Sequence, residues 1–316
     1  MLNIHLLNIF RSLKITKYSA VKIFLTFIAV VCVRFIACAD DDDVTATNLW
    51  TPQHSRFGLF NALDHRSGYY RDSFPQGLLV EDTSAEEEGE LELNYLHTAA
   101  DVKRDDIVSA EAQKSLGVLT FELEVPYQRS VNSHGAVVEG VGNIELNARM
   151  PLYQYVPANG AVDNTAGVGV ELGIPVNSAV SKNTELEPGV FNDLQLGNHF
   201  TVQATLGYDK SFGGGDDGGE EDFEYGLNLA WAIPYTQLPI PGVQRISPMF
   251  EVDGELGLNE DESGQNSVLG SAGFRADFKP VCGLDPSLGL AYVFPMSAVA
   301  HKDVHWGIAS SFTVEF

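Results

Sequence analysis

Residues 305–316 read HWGIASSFTVEF, and from Trp306 onward large apolar residues recur at even positions. In an extended chain, successive side chains point to opposite faces, so Trp306, Phe312, Val314 and Phe316 would share one face. The other face would carry small and polar residues. The stretch therefore predicts a β-strand with one apolar face, ending on an aromatic residue.

The same two-residue period recurs along most of the chain, interrupted by Gly, Asn, Asp and Pro. Residues 77–82, GLLVED, are a candidate for a further strand, and no helical pattern of useful length follows residue 39. The pattern predicts an all-β protein with about 12 strands, in a range of 10 to 12. Besides the last strand, the predicted strands lie near residues 91–95, 119–127, 144–152, 168–176, 186–194, 200–208, 223–233, 250–258, 268–278 and 288–294.

The first 39 residues have the composition of an export signal. They contain five basic residues and no acid, and residues 23–33, IFLTFIAVVCV, form an apolar run too short to span a bilayer as a helix. Ala37 and Ala39 place small residues before DDDD, which favours cleavage after Ala39. Lipidation of Cys38 and an uncleaved anchor are the alternatives. After cleavage Cys282 is the remaining cysteine, so no internal disulfide framework is expected.

The charge of the chain limits its partners. Acidic residues number 43 against 19 basic ones, giving a formal net charge of −24. Such a surface repels nucleic acid and has no polybasic membrane anchor. We therefore expect no nucleic-acid partner.

Alternation alone fits either a soluble β-sandwich or a transmembrane barrel, but the connections favour the barrel. Counting back from Phe316, the acidic connections 213–222 and 259–267 fall at the same end as 297–303. Long polar loops at one end are typical of outer-membrane barrels. Tyr208, Phe212, Phe223 and Tyr225 flank the connection 213–222, where an interfacial aromatic girdle is expected. The final aromatic strand, with Trp306, Phe312, Val314 and Phe316, resembles the signal read by the outer-membrane assembly machinery.

In a barrel of this kind the second face of each strand points into the lumen. An acid-lined lumen favours cations, because carboxylates lower the energy of a cation in a narrow pore. Arg149 and Arg275 would supply internal counter-charges. The predicted lumen-lining residues are Glu122, Glu124, Glu145, Arg149, Glu171, Glu251, Asp253, Glu255 and Arg275.

Three stretches resemble one bacterial family: residues 140–155, GVGNIELNARMPLYQY, residues 167–176, GVGVELGIPV, and residues 186–208, LEPGVFNDLQLGNHFTVQATLGY. Their order is similar to that of outer-membrane proteins labelled "MetA-pathway of phenol degradation", over roughly residues 77 to 316. The resemblance implies a β-barrel in the outer membrane of a diderm bacterium that helps small compounds, aromatic ones among them, to pass. The resemblance does not identify any functional residue of this chain.

Other chemistry finds less support in the sequence. Asp216 and Asp217 are candidate ligands of a divalent cation, but we favour the interpretation that they belong to a solvated, flexible loop. His301 and His305 would be too far apart for one ion if a loop ran straight into a strand. No hydrolase, zinc-protease or phosphate-loop motif occurs, so neither an enzyme nor a cofactor is expected. A barrel-rim hydrolase and a non-conducting structural or adhesive surface barrel are the alternatives.

The predicted organisation is therefore a signal peptide at 1–39, an acidic and poorly ordered N-terminal segment at 40–76, for which a periplasmic extension or a plug is the alternative, and an outer-membrane β-barrel at 77–316. The predicted function is passive passage of small solutes. Expected partners are outer-membrane lipid, the assembly machinery and small solutes, and the sequence does not fix the oligomeric state.

Overall fold

The computed structural model describes residues 75–80, 89–101, 103–116, 119–132, 134–155, 162–197, 199–213, 219, 221–259 and 263–315. The predicted signal peptide, the N-terminal part of the acidic segment, Asp216, Asp217 and Phe316 lie outside these residues.

Nearly all of the described residues belong to long antiparallel strands. The strands are β1 (Gly89–Ala100), β2 (Lys103–Leu116), β3 (Leu119–Val131), β4 (Val137–Val141), β5 (Asn143–Tyr155), β6 (Val162–Pro175), β7 (Asn183–Leu196), β8 (Phe200–Gly213), β9 (Glu221–Trp231), β10 (Ile233–Pro234), β11 (Val243–Gly257), β12 (Asn266–Phe278), β13 (Asp285–Pro295) and β14 (Trp306–Glu315). One four-residue helix, α1 (Ala300–Asp303), precedes β14 within the described chain.

The sheet closes on itself. Neighbours in sequence pair with each other, and β14 pairs with β1 from Glu90↔Glu315 to Ala99↔Trp306. Twelve of the described strands form the ring, while β4 and β10 are short extensions that pair with β3 and β11. The predicted all-β, 12-stranded antiparallel barrel is confirmed. Closure leaves the ring itself without a free edge, so its twelve strands find backbone partners on both sides.

The identity of one strand was predicted wrongly. Residues 77–80 are irregular and belong to no strand, and the strand that sequence reading missed is β2. The outward positions of β2 include Arg104, Asp106 and Lys114, so the strand lacks the apolar alternation that marks the others. The predicted number of strands is correct, although one of the predicted strands is wrong.

Up-and-down order places the connections alternately at the two ends of the barrel. We call the end with residues 214–220, 258–265 and 296–305 the loop end, and the end with residues 197–199, 232–242 and 279–284 the turn end. The most acidic connections therefore share one end, as the sequence predicted. At the turn end Gly197 adopts a φ of +61°, a left-handed conformation that suits glycine in the tight turn between β7 and β8.

The outer wall of the barrel is apolar and exposed. Phe121, Leu206, Leu290 and Tyr292 are 45%, 46%, 47% and 52% exposed, although each lies within a strand of the ring. The inner wall is polar, and its buried residues include many acids, amides and hydroxyls. This is the reverse of a soluble domain, whose apolar residues face its interior. Among the described residues, no helix is long and apolar enough to cross a membrane.

Candidate solute pathway in the barrel lumen

The predicted lumen residues lie on the inner wall, where strand parity puts them. Glu122, Arg149, Glu251 and Arg275 are buried, whereas their outward neighbours Phe121 and Phe274 are exposed. Glu124, Glu145, Glu171 and Asp253 are half-buried, and Glu255 is exposed. A shared face results because side chains two residues apart in a strand point the same way.

The lumen also contains residues 75–80, PQGLLV, which we call the lumen segment. The backbone N–H groups of Leu78, Leu79 and Val80 all donate to Oε1 of Glu251, over 2.7, 3.1 and 3.2 Å. Oε2 of Glu251 accepts a hydrogen bond of 2.5 Å from the Ser271 hydroxyl. Glu251 has no exposed surface, so this carboxylate is satisfied by the segment and by β12.

The first residues of the lumen segment are held by other parts of the wall. The Asn228 amide donates to the carbonyl of Pro75 over 3.2 Å. Gln76 donates to Glu90 over 2.5 Å and accepts a hydrogen bond of 3.3 Å from the Thr313 hydroxyl. The segment is therefore tied to strands on several sides of the barrel.

Small residues on the inner wall make room for the apolar side chains of the segment. Leu78 and Leu79 pack against a cluster formed by Ala291, Val293 and Ala309. A Cβ built on Gly289 would lie 2.2 Å from a methyl carbon of Leu78. Likewise, a Cβ on Gly226 would lie 2.5 Å from a methyl carbon of Val80. The wall is thus shaped to the segment as well as hydrogen-bonded to it.

Carboxylates outnumber cations on the inner wall. Arg149 donates to Glu122 and to the side-chain oxygen of Gln113. Arg275 donates to Ser311 and Thr313 and lies 3.5 Å from Glu92. Two overlapping carboxylate triplets, Glu90, Glu92 and Glu111 together with Glu111, Glu122 and Glu124, have oxygens within 4.8 Å of one another. Like charges this close repel, and a cation in the lumen would relieve that repulsion.

A narrow cavity of about 80 Å³ remains on the wall formed by β5 to β9 and β11. Its polar lining includes Arg149, Glu171, Glu187, Glu224 and Asp253. This volume corresponds to a few water molecules. The aromatic ring of Phe191, which sequence reading did not single out, also lines the cavity and covers Gly167.

Sequence reading missed several lumen residues. Glu90, Glu92, Glu111 and Gln113 lie on β1 and β2, and β2 itself was not recognised. Arg245 was missed too; its guanidinium donates to Asp277 over 2.5 Å. Lys279 lies beyond the end of β12, where it is exposed over the ring of Tyr235.

The remaining predicted residues lie on the outer wall of the barrel or in the connection that precedes β14. Trp306 and Phe312 point outward on β14, and Trp306 is 41% exposed, while Val314 on the same face is buried. The prediction that His301 and His305 are held too far apart is wrong, because the centroids of their rings are 4.8 Å apart. Because α1 replaces the expected extended loop with a helical turn over Ala300–Asp303, the chain between the two histidines is shorter than an extended one would be.

The comparisons with known proteins concern the fold. No protein-family model and no curated protein matches the chain. The structure is similar to the crystal structure of the COG4313 outer membrane channel from Pseudomonas putida F1, with 13% identity, a TM-score of 0.50, and coverage of 77% of this chain and 99% of that one. Weaker likenesses are to NanC porin (8% identity, TM-score 0.45, 72% and 98% covered) and KdgM porin (11%, 0.38, 71% and 98%).

At these identities the likeness shows the architecture, a closed barrel of the kind found in an outer-membrane channel. The resemblance to the phenol-degradation family is not confirmed by a family model.

Proposed function

We propose that the protein is an outer-membrane β-barrel that passes small solutes passively along an acid-lined lumen and favours cations. The observation that carries the membrane location is the outer wall, where large apolar side chains are exposed around the barrel. A soluble monomer rarely exposes so large an apolar surface, whereas lipid requires one. Trp231 and Tyr155 near the turn end and Trp306 and Tyr292 toward the loop end would then lie near the two membrane interfaces.

The charge of the inner wall supports the proposed selectivity. Glu171, Glu187, Glu224 and Asp253 line one side of the remaining cavity, where Arg149 is the basic lining residue. In a narrow lumen such an excess of carboxylates raises the local concentration of cations and excludes anions. Glu122, Glu124, Glu145, Glu251, Glu255 and Arg275 are proposed to shape the same field.

Single-channel recording in a planar bilayer, with a KCl gradient, tests this function. We expect discrete currents with a cation-favouring reversal potential. The pair Glu171→Gln and Asp253→Asn should lower the K⁺/Cl⁻ permeability ratio. Each charge removed should change the energy of a cation about 8 Å away by about 0.5 kcal/mol in a water-like dielectric. This corresponds to roughly a twofold change in the permeability ratio. Glu139→Gln is the matched control, because Glu139 is exposed and pairs with outward-facing Arg129 over 3.6 Å. An unchanged ratio in the double variant would reject the acid-lined pathway.

One observation favours a second candidate, a structural or adhesive surface barrel. The lumen segment fills part of the interior and is bonded to Glu251, Glu90, Asn228 and Thr313. A barrel that is permanently filled would fractionate with the outer membrane and carry no current. Electrical silence of the protein, both intact and with the segment replaced, would favour this candidate over the channel.

A further inference from the structure

One connection at the loop end of the barrel, between β13 and β14, contains two histidines whose rings lie close together. Helix α1 is anchored by Ser297, whose hydroxyl accepts hydrogen bonds from the backbone N–H groups of Ala300 and Val268, over 3.1 and 3.0 Å. The helical turn continues through His301 N–H to Ser297 O and Val304 N–H to Ala300 O. His305 follows this turn after the extended Val304, and the centroids of the His301 and His305 rings are 4.8 Å apart.

A carboxylate from the β1–β2 turn lies beside one histidine of this pair, His305. The backbone N–H of His305 donates to Ala99 O over 2.8 Å, which fixes the loop against the end of β1. Asp101 follows in the turn, and its Oδ1 lies 3.8 Å from Nδ1 of His305. Lys103 and Asp303 form an ion pair between the same two connections. Asp101 thus lies beside His305, on a surface held by backbone hydrogen bonds.

We propose that His301, His305 and Asp101 form a binding site for a divalent transition-metal ion such as Zn²⁺. Around a tetrahedral ion with ligand bonds of about 2.0–2.1 Å, two ligand atoms are separated by roughly 3.3 Å. The observed 3.8 Å between Nδ1 of His305 and Oδ1 of Asp101 is close to that spacing. The two imidazole rings have centroids 4.8 Å apart, so small side-chain rotations can bring one nitrogen of each ring to the same spacing.

The donor set selects the class of metal. Imidazole nitrogens suit Zn²⁺, Cu²⁺ and Ni²⁺, whereas Ca²⁺ and Mg²⁺ require oxygen ligands. All three side chains are exposed, so they can reorient at little cost, and water can complete the coordination. The acidic protein, with a net charge of −24, would concentrate cations near its surface. A bound ion would join the β1–β2 turn to the β13–β14 connection.

Calorimetric titration of the full-length, detergent-purified protein with ZnCl₂ tests this site. We expect one equivalent to bind in a step that His301→Ala and His305→Ala each weaken by at least tenfold. Asp101→Asn should weaken it less, and asparagine tolerates the left-handed φ of +49° at this position. His134→Ala, which changes an exposed histidine of the β3–β4 turn, is the matched control and should leave Zn²⁺ binding unchanged.

A parallel titration with CaCl₂ separates this site from general binding to acidic loops. We expect any Ca²⁺ binding to be the same in the histidine variants, since oxygens alone would hold that ion. The inference is overturned if the double variant His301→Ala, His305→Ala binds Zn²⁺ as the unchanged protein does. It is equally overturned if the unchanged protein binds no Zn²⁺.

Discussion

At the scale of single residues, Glu251 holds the lumen segment with one carboxylate oxygen that accepts three backbone N–H groups. A carboxylate accepts such hydrogen bonds more strongly than a neutral oxygen does, by roughly a factor of two. Glutamine has the same shape and keeps an oxygen acceptor, but it loses the charge. Glu251→Gln should therefore loosen the segment without leaving a hole in the wall.

For Glu251→Gln we expect the open probability in single-channel records to rise about tenfold, which corresponds to about 1.4 kcal/mol lost from the closed state. Asp253→Asn is the matched control: it also removes a charge from β11, but Asp253 makes none of the three contacts to the segment. Equal effects of the two substitutions would mean that charge alone, and not the held segment, sets the current.

Arg149 allows a second test at the residue scale. It is 2% exposed and donates to Glu122 and Gln113, so Arg149→Met would leave buried Glu122 without this cation. Removing one partner of a buried pair costs about 3–5 kcal/mol, and adding Glu122→Gln should recover much of that loss. Arg129→Met, which changes an arginine that is 43% exposed, should cost about 1 kcal/mol or less.

Urea unfolding of the barrel in lipid vesicles measures these differences in the free energy of unfolding. A double variant as unstable as Arg149→Met alone would show that the lost pairing with Glu122 is not the cause.

At the scale of elements, the strands that could be predicted are those whose outward residues are apolar. On β13, Leu288, Leu290 and Tyr292 face outward and alternate with Gly289 and Ala291, so the period of two is visible in the sequence. Strand β2 lacks this signal near the loop end. Its outward Asp106 lies 2.7 Å from His97 and accepts a hydrogen bond from Tyr95 across the strand pair. Pairing of that kind depends on the neighbouring strand, which sequence periodicity does not reveal.

The small residues of β13 provide a test at this scale. Because Gly289 faces Leu78 closely, Gly289→Val should push the lumen segment out of its place and raise the single-channel conductance several-fold. Gly169→Ala is the matched control, since its new Cβ would meet its nearest neighbour, Arg149, at 3.4 Å, an ordinary contact. Conductance that stays unchanged in Gly289→Val would mean that the segment does not limit the pathway.

At the scale of the whole molecule, strand parity indicates which side chains face the lumen but not what else occupies it. The apolar run GLLV resembles a strand locally, so the sequence pattern alone predicts one there. The ring of strands is already closed without it, so the run packs against small residues inside the barrel and its N–H groups bond to Glu251. Leu78 and Glu251 are 173 positions apart, and no local pattern connects them.

This closure leads to a final prediction. Each strand of the ring pairs on both sides without help from residues 75–80, so replacing them with six Gly and Ser residues should leave the barrel folded. Water can hydrate the polar groups of the wall that the segment leaves behind. We expect the variant to keep the heat-dependent gel mobility of a folded barrel and to conduct several-fold more current than the unchanged protein. The same replacement at 259–264, in a connection at the loop end, is the matched control and should not raise the current. Loss of the folded form would show that the segment is needed for assembly. A variant that folds but, like the unchanged protein, carries no current would leave the structural barrel as the better account.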